Sequence, residues 1–159
     1  MNITIYAVGK IKESFFRQAV DEYAKRLGRY CKLKIVEVAD EKTPDHTGPA
    51  LTAQIKDREG ERLLARIRDG TFLITLALDG EKLDSVAFAE KIRLLGLHGK
   101  SDLGFVIGGS LGLSDAVLAR ADLSISFSDM TFPHQLMRVI LLEQIYRAYR
   151  ITANEPYHK

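Results

Sequence analysis

Five short apolar runs alternate with segments of helical period, and no other feature narrows the possible folds of this chain so far. The runs are ITIYAV (3–8), LKIVEVA (33–39), TFLITLAL (71–78), LGFVIG (103–108) and LSISFS (123–128). Each has strand length, is rich in β-branched residues and is bounded by turn formers, as expected of strands covered on both faces. Residues 12–27 put Phe15, Phe16, Ala19, Val20, Tyr23 and Leu27 on one stripe, with Gly28 as a stop. Residues 50–68 read as a polar helix with Ile55, Leu63, Leu64 and Ile67 inward, and residues 85–97 as one with Phe88, Ala89, Ile92 and Leu95 inward. Ser114 is placed to cap a short helix carrying Val117 and Leu118. Residues 134–150 form the last and most apolar helix. Strand and helix in repeated alternation mean an α/β fold, a layered parallel sheet with helices on both faces. One domain over residues 1–159 is expected, with a polar connecting loop at 40–50 and no internal repeat.

Composition excludes several classes. No apolar run approaches the roughly 18 residues of a membrane span. The opening reads as a strand rather than a signal peptide, so a cytoplasmic protein with no membrane partner is expected. Cys31 is the single cysteine, and no Cys/His cluster has metal spacing, so neither an intrachain disulfide nor a metal site is expected. Cys31 itself, at a helix-to-strand junction, reads as an inert thiol. Net charge is only +2, but residues 10–34 hold eight basic residues against three acids, a local +5 that leaves −3 for the rest. Such a surface attracts phosphates.

Ligands of open parallel sheets bind beyond the carboxyl ends of the strands. Here three runs end in unusual loops: LALDGEKL, VIGGSLGLS and SFSDMTFPHQ. The glycines of GGSLG allow close backbone approach to a ligand, but the motif is neither a phosphate loop nor a dinucleotide fingerprint, and it also reads as a plain tight turn. In SDMTFPH, Ser128 and Thr131 offer hydrogen bonds and Met130 and Phe132 offer apolar walls; simple capping of the following helix by Thr131 is the alternative. His134 and Arg138 share one helix face, and Glu143 and Arg147, also four apart, read as an ordinary ion pair.

ITIYAVGK, FVIGGSLGL, ISFSDMTFPHQLMRVILLEQIYRAYRI and NEPYHK together resemble the SPOUT-class methyltransferases that modify a pseudouridine of large-subunit (23S) ribosomal RNA at N3. The resemblance runs end to end. It implies S-adenosyl-L-methionine as cofactor, held in a C-terminal trefoil knot within about residues 70–150. It places that cofactor against Leu76, Gly108, Phe127, Ser128, Asp129, Met130, Thr131 and Phe132. It also implies a homodimer with active sites at the interface, and the apolar breadth of the last helix, Leu141 and Leu142 included, fits a helix packed on both sides.

Methylating an imide nitrogen requires its proton to leave, and a neutral histidine is a suitable base near pH 7. His134 and His158 are the candidates. Tyr157 and His158, in the terminal segment 151–159, are expected to orient the base and its proton, with His134 and Arg138 near cofactor and target. Lys10, Lys12, Arg17, Arg26 and Arg29 are expected to contact RNA phosphates, the substrate being ribosomal RNA, on the assembled ribosome. Whether the terminal segment serves its own or a partner's site stays open. The rival readings are a transfer-RNA methyltransferase, a non-enzymatic ribosome-binding protein and a flavodoxin-type nucleotide binder.

Overall fold

The computed structural model describes residues 1–159. Its elements alternate strictly: β1 (Asn2–Val8), α1 (Ser14–Leu27), β2 (Lys32–Val38), α2 (Pro49–Leu64), β3 (Phe72–Lys82), α3 (Ser85–Leu97), β4 (Asp102–Ile107), α4 (Asp115–Arg120), β5 (Leu123–Ser126) and α5 (His134–Thr152). The strands form one parallel sheet in the order β2-β1-β4-β3-β5.

Side chains alternate across a strand, so the central strands feed two cores. Ile3, Ile5, Leu103 and Phe105 pack with Val20 and Leu27 of α1, Phe88 and Ile92 of α3, and Leu141, Leu142 and Ile145 of α5. Tyr6, Val8, Leu73 and Val106 pack on the other face with Leu63 of α2 and Val117 of α4. The layered α/β expectation therefore holds. Ser114 caps α4 as expected, its Oγ accepting from Val117 N–H at 3.3 Å.

Three expectations need correction. Phe15 is 62% exposed. Val20 and Leu27, with half-buried Phe16 and Tyr23, already fill the inward stripe of α1, and Phe15 lies a rotation of about 100° away from Phe16. Leu141 and Leu142 are fully buried inside this chain, because α5 lies between α1 and α3. Its apolar breadth is thus satisfied without a second subunit. Finally, β3 does not end at residue 78. Leu76 and Glu81 both pair with Ile125, so residues 77–80 bulge outward and the strand resumes at Glu81. Gly80 permits this, since a Cβ there would lie 2.5 Å from the Ile125 backbone.

Candidate active site

Beyond the carboxyl ends of β3, β4 and β5 lies a cavity of about 800 Å³. The bulge after Leu76 forms one wall, the Gly108–Leu113 loop a second, and the segment from Ser126 to His134 a third. GGSLG is a tight turn: Gly112 N–H donates to Gly109 O at 3.1 Å, with Gly112 at φ +93°. It is also a cavity wall, so its two readings describe one object. At Gly108 a Cβ would come within 2.8 Å of the Gly112 backbone, so only glycine lets the loop close on itself.

The third loop braces itself. Ser126 Oγ donates to Ser128 O at 3.1 Å, and Met130 N–H donates to Ser128 Oγ at 3.0 Å. Thr131 does not cap α5; the residue at that position is Pro133, with no side-chain bond to the helix. The capping alternative falls, and Thr131 lines the cavity.

Of the residues expected at the cofactor, Leu76, Gly108, Phe127, Ser128, Met130, Thr131 and Phe132 line this cavity. Asp129 does not. Its side chain is 80% exposed and turned away to Lys82 Nζ at 2.5 Å. Leu78, Leu118 and Met137 also line it and were missed. Leu78 carried a signal, an apolar residue in an otherwise polar turn; Leu118 and Met137 read as ordinary core positions.

His134 stands on the cavity rim at the first residue of α5. Burial, and then the charge of Arg138, lower its pKa from the ordinary 6.5, so it is neutral at neutral pH. Arg138 itself is a correction. It is 1% exposed and lines no part of the cavity. Its Nη1 pairs with Glu37 Oε2 at 2.5 Å and its Nη2 donates to Gly9 O at 2.7 Å. It pins the first turn of α5 to the ends of β1 and β2, and so positions His134.

The terminal residues lie elsewhere. Asn154, at φ 54°, stops α5, and the chain folds back along that helix. Arg150 holds Glu155 and donates to Pro156 O at 3.1 Å. Tyr157 donates its hydroxyl to Glu143 Oε1 at 3.0 Å, beneath the Arg147 guanidinium at 4.7 Å from its ring. Burial and the Glu143 bond push the phenol up to about 12. The Glu143–Arg147 pair is therefore a seat for Tyr157 as well as an ion pair. His158 Nδ1 sits 3.3 Å from Arg147 Nη1. With α5 rising about 1.5 Å per residue, His134 and Arg147 are roughly 20 Å apart. The two histidines are not brought together within one chain.

The family model described as "Predicted SPOUT methyltransferase" matches residues 1–158. The chain belongs to the SPOUT methyltransferase family. Two relatives, each named ribosomal RNA large subunit methyltransferase H, cover it completely and are completely covered by it: one from Bifidobacterium adolescentis at 64% identity and one from Clostridium tetani at 58%. Among solved structures, a probable methylase family protein of Haemophilus influenzae superposes with a TM-score of 0.56 at 16% identity, over 99% of this chain and 70% of that one. A Legionella pneumophila methyltransferase solved with the cofactor SAM bound has a TM-score of 0.50 at 12% identity, over 94% and 66%. Those two likenesses speak to the fold alone.

As a SPOUT enzyme the chain is a methyltransferase that uses S-adenosylmethionine, and the cavity suits that cofactor. Its loops offer backbone polar groups through glycine turns, and Leu76, Phe127, Met130 and Met137 offer apolar surface for a planar base. The absence of a dinucleotide fingerprint follows, since the SPOUT cavity is built from three late loops. Cys31 fits no role here. It is half-buried, and burial pushes its thiol up to about 11.

The basic segment of this SPOUT chain divides. Lys10 and Lys12 are exposed beside the start of α5, where Lys12 N–H reaches Gln135 Oε1 at 3.4 Å. Arg17 is tied to Ile11 O at 2.9 Å. Arg26 and Arg29 lie at the far end of α1; Arg26 pairs with Glu22 at 3.1 Å and covers Tyr23 and Tyr146, and Arg29 covers Tyr30. The far pair therefore neighbours the terminal segment rather than its own chain's cavity.

Proposed function

We propose that this chain methylates N3 of a pseudouridine in large-subunit (23S) ribosomal RNA, on the assembled ribosome and in the cytoplasm. The observation that carries the reading is the cavity at the ends of β3, β4 and β5, with neutral His134 on its rim, in a chain of full-length likeness to proteins named for ribosomal RNA methylation. No helix is long and apolar enough to cross a membrane, and no group of three or more His, Cys, Asp or Glu side chains is arranged to hold a metal ion.

When bound, S-adenosylmethionine supplies an electrophilic methyl group. The walls formed by Leu76, Gly108, Phe127, Ser128 and Met130–Phe132 would hold it and exclude water from the reacting atoms. His134 accepts the imide proton as N3 becomes nucleophilic. Burial, and then the charge of Arg138, keep His134 uncharged, and Arg138 holds it in place. Lys10 and Lys12 hold phosphates beside the cavity.

The working unit is a homodimer in which Tyr157 and His158 of one subunit complete the site of the other, with Arg26 and Arg29 arriving alongside them. What supports this is the distance of roughly 20 Å along α5 between those groups and their own chain's His134. A trefoil knot within about residues 70–150 belongs to the same reading; the return of β5 past the bulge at 77–80 is compatible with it.

The test is methyl transfer from labelled cofactor to ribosomes, separated subunits and naked RNA from cells lacking this protein. Label at N3 of one large-subunit pseudouridine, on intact ribosomes, is expected. No label in any of the three overturns the reading; label in transfer RNA instead points to the nearest rival.

A further inference from the structure

The cavity has an annex that its cofactor-binding walls leave unexplained. A second pocket, of about 260 Å³, opens beside it and shares Gly109, Ser110 and His134. Its other walls include Asp40, Glu41, Thr43 and Glu59. Glu59 is the unusual member. It belongs to α2, on the opposite face of the sheet from α5, yet it is only 4% exposed. Its Oε2 accepts from Glu41 N–H at 3.0 Å, and its Oε1 has no hydrogen-bond partner in the chain.

The surroundings keep that carboxylate where it is. A Cβ on Gly109 would lie 3.0 Å from Glu59 Oε1, so this glycine leaves the loop lying directly on the carboxylate. One residue on, a Cβ at Gly60 would come 2.3 Å from Ser114 Oγ, so α2 is locked against the cap of α4. A buried acceptor left without a donor is costly unless something supplies one. The annex is rich in acceptors and its one cation, Lys42, is exposed, so it suits an N–H donor and repels phosphate.

We infer that Glu59 reads the target base, accepting the N1–H of pseudouridine while His134 faces N3–H. This rests on the proposed reaction. Pseudouridine is joined to its ribose through carbon, which leaves N1–H and N3–H flanking the C2 carbonyl. Uridine has N3–H alone. His134 lines both cavities and Glu59 lines the annex alone, so a base seated against His134 has Glu59 as the unpartnered acceptor on its annex side. The carboxylate therefore selects the isomerised base, and orients the ring so that N3 faces the cofactor cavity. A site built around a buried acceptor rejects an analogue that lacks the donor.

The experiment compares ribosomes carrying pseudouridine at the target with ribosomes in which that position remains uridine, using labelled cofactor and the full-length chain. Glu59→Leu is expected to slow methylation of the pseudouridine ribosome by about 10- to 100-fold and the slow uridine reaction by clearly less. Glu59→Gln keeps the volume and the bond to Glu41 N–H, so it stands in where the leucine variant does not fold. With its carbonyl kept on Glu41 N–H, the glutamine presents NH2 where Oε1 stood, a donor facing N1–H, so a loss of discrimination of about 10- to 100-fold, like that of the leucine variant, is expected. Cofactor affinity, read by calorimetry, stays the same in both. Equal slowing on both ribosomes, unchanged discrimination, or a loss confined to cofactor affinity overturns the assignment. An unaltered chain that labels neither ribosome overturns the reaction itself, and this assignment with it.

Discussion

In the proposed reaction both ends of α5 take part, and they are built differently. At its start, the cavity is walled by loop backbone and apolar side chains, and the polar groups there brace one another, as Ser126 and Met130 do through Ser128. At its other end, Tyr157 and His158 are held by charged and aromatic side chains, Glu143, Arg147 and Tyr146. In that reading, function at the first end depends on loop shape, and steric changes are expected to damage it. Function at the second would depend on side-chain pairing, and single truncations are expected to expose it. Arg138 belongs to neither end; it sets where the first one sits.

The sharpest way to break the comparison is to remove His158. In His158→Ala, which would leave the base and its proton unoriented, methyl transfer in a single turnover is expected to fall by about 10²- to 10⁴-fold, the contribution of a working general base. Cofactor affinity measured by calorimetry is expected to hold; its loss with an unchanged transfer rate would merge the two ends into one binding function. Mixing chains that lack residues 157–159 with Gly108→Val chains should restore activity if the terminal segment works across the dimer.

Gly108→Val alone strikes the first end. Overpacking against Gly112 is expected to weaken cofactor binding by about 10- to 100-fold, while urea unfolding near that of the unaltered chain would place the damage in the loop. Arg138→Met removes charge-assisted bonds from a buried site and should cost about 1.5–3 kcal/mol in urea unfolding. It also removes a positive neighbour from His134, so the acid limb of the rate–pH profile should move to higher pH.

A smaller effect concerns pH and stability. The folded pKa of His134 lies below its ordinary 6.5, so the unfolded chain binds more protons in the window between the two values. Stability is full above 6.5 and declines as pH falls through that window. Thermal melts at pH 7.5 and 5.5 should differ by less in His134→Gln than in the unaltered chain. Smallest of all, Lys10→Ala and Lys12→Ala should each reduce the slope of log binding against log salt by about 0.7–0.9. Unchanged slopes would remove both lysines from the RNA surface.

Much of the fold was legible along the chain, because apolar period is a local property. All five strands and all five helices appear in the expected order, although β3 runs on to Lys82 and α2 stops at Leu64, and seven of the eight cofactor positions implied by family resemblance line one cavity. The failures share a cause. Phe15 was assigned to a stripe that its neighbours already filled. Asp129 sits inside a matching motif but turns out to Lys82, a partner set by the bulge in β3. Arg138 looked like a cavity residue because it shares a helix face with His134. Its partners, Glu37 and Gly9, lie 101 and 129 positions away in the chain.

By itself, the sequence determined the order of elements, the two-faced burial of β1 and β4, and the three loops that would carry a ligand. Those follow from residue volume, β-branching and turn chemistry read over a few neighbours at a time. Only the tertiary structure decided which side chains meet. It buried Arg138 as a clamp, left Glu59 facing an annex, and set His134 and His158 at opposite ends of one helix. Such pairings arise when remote segments are packed to density, and local period carries no record of them.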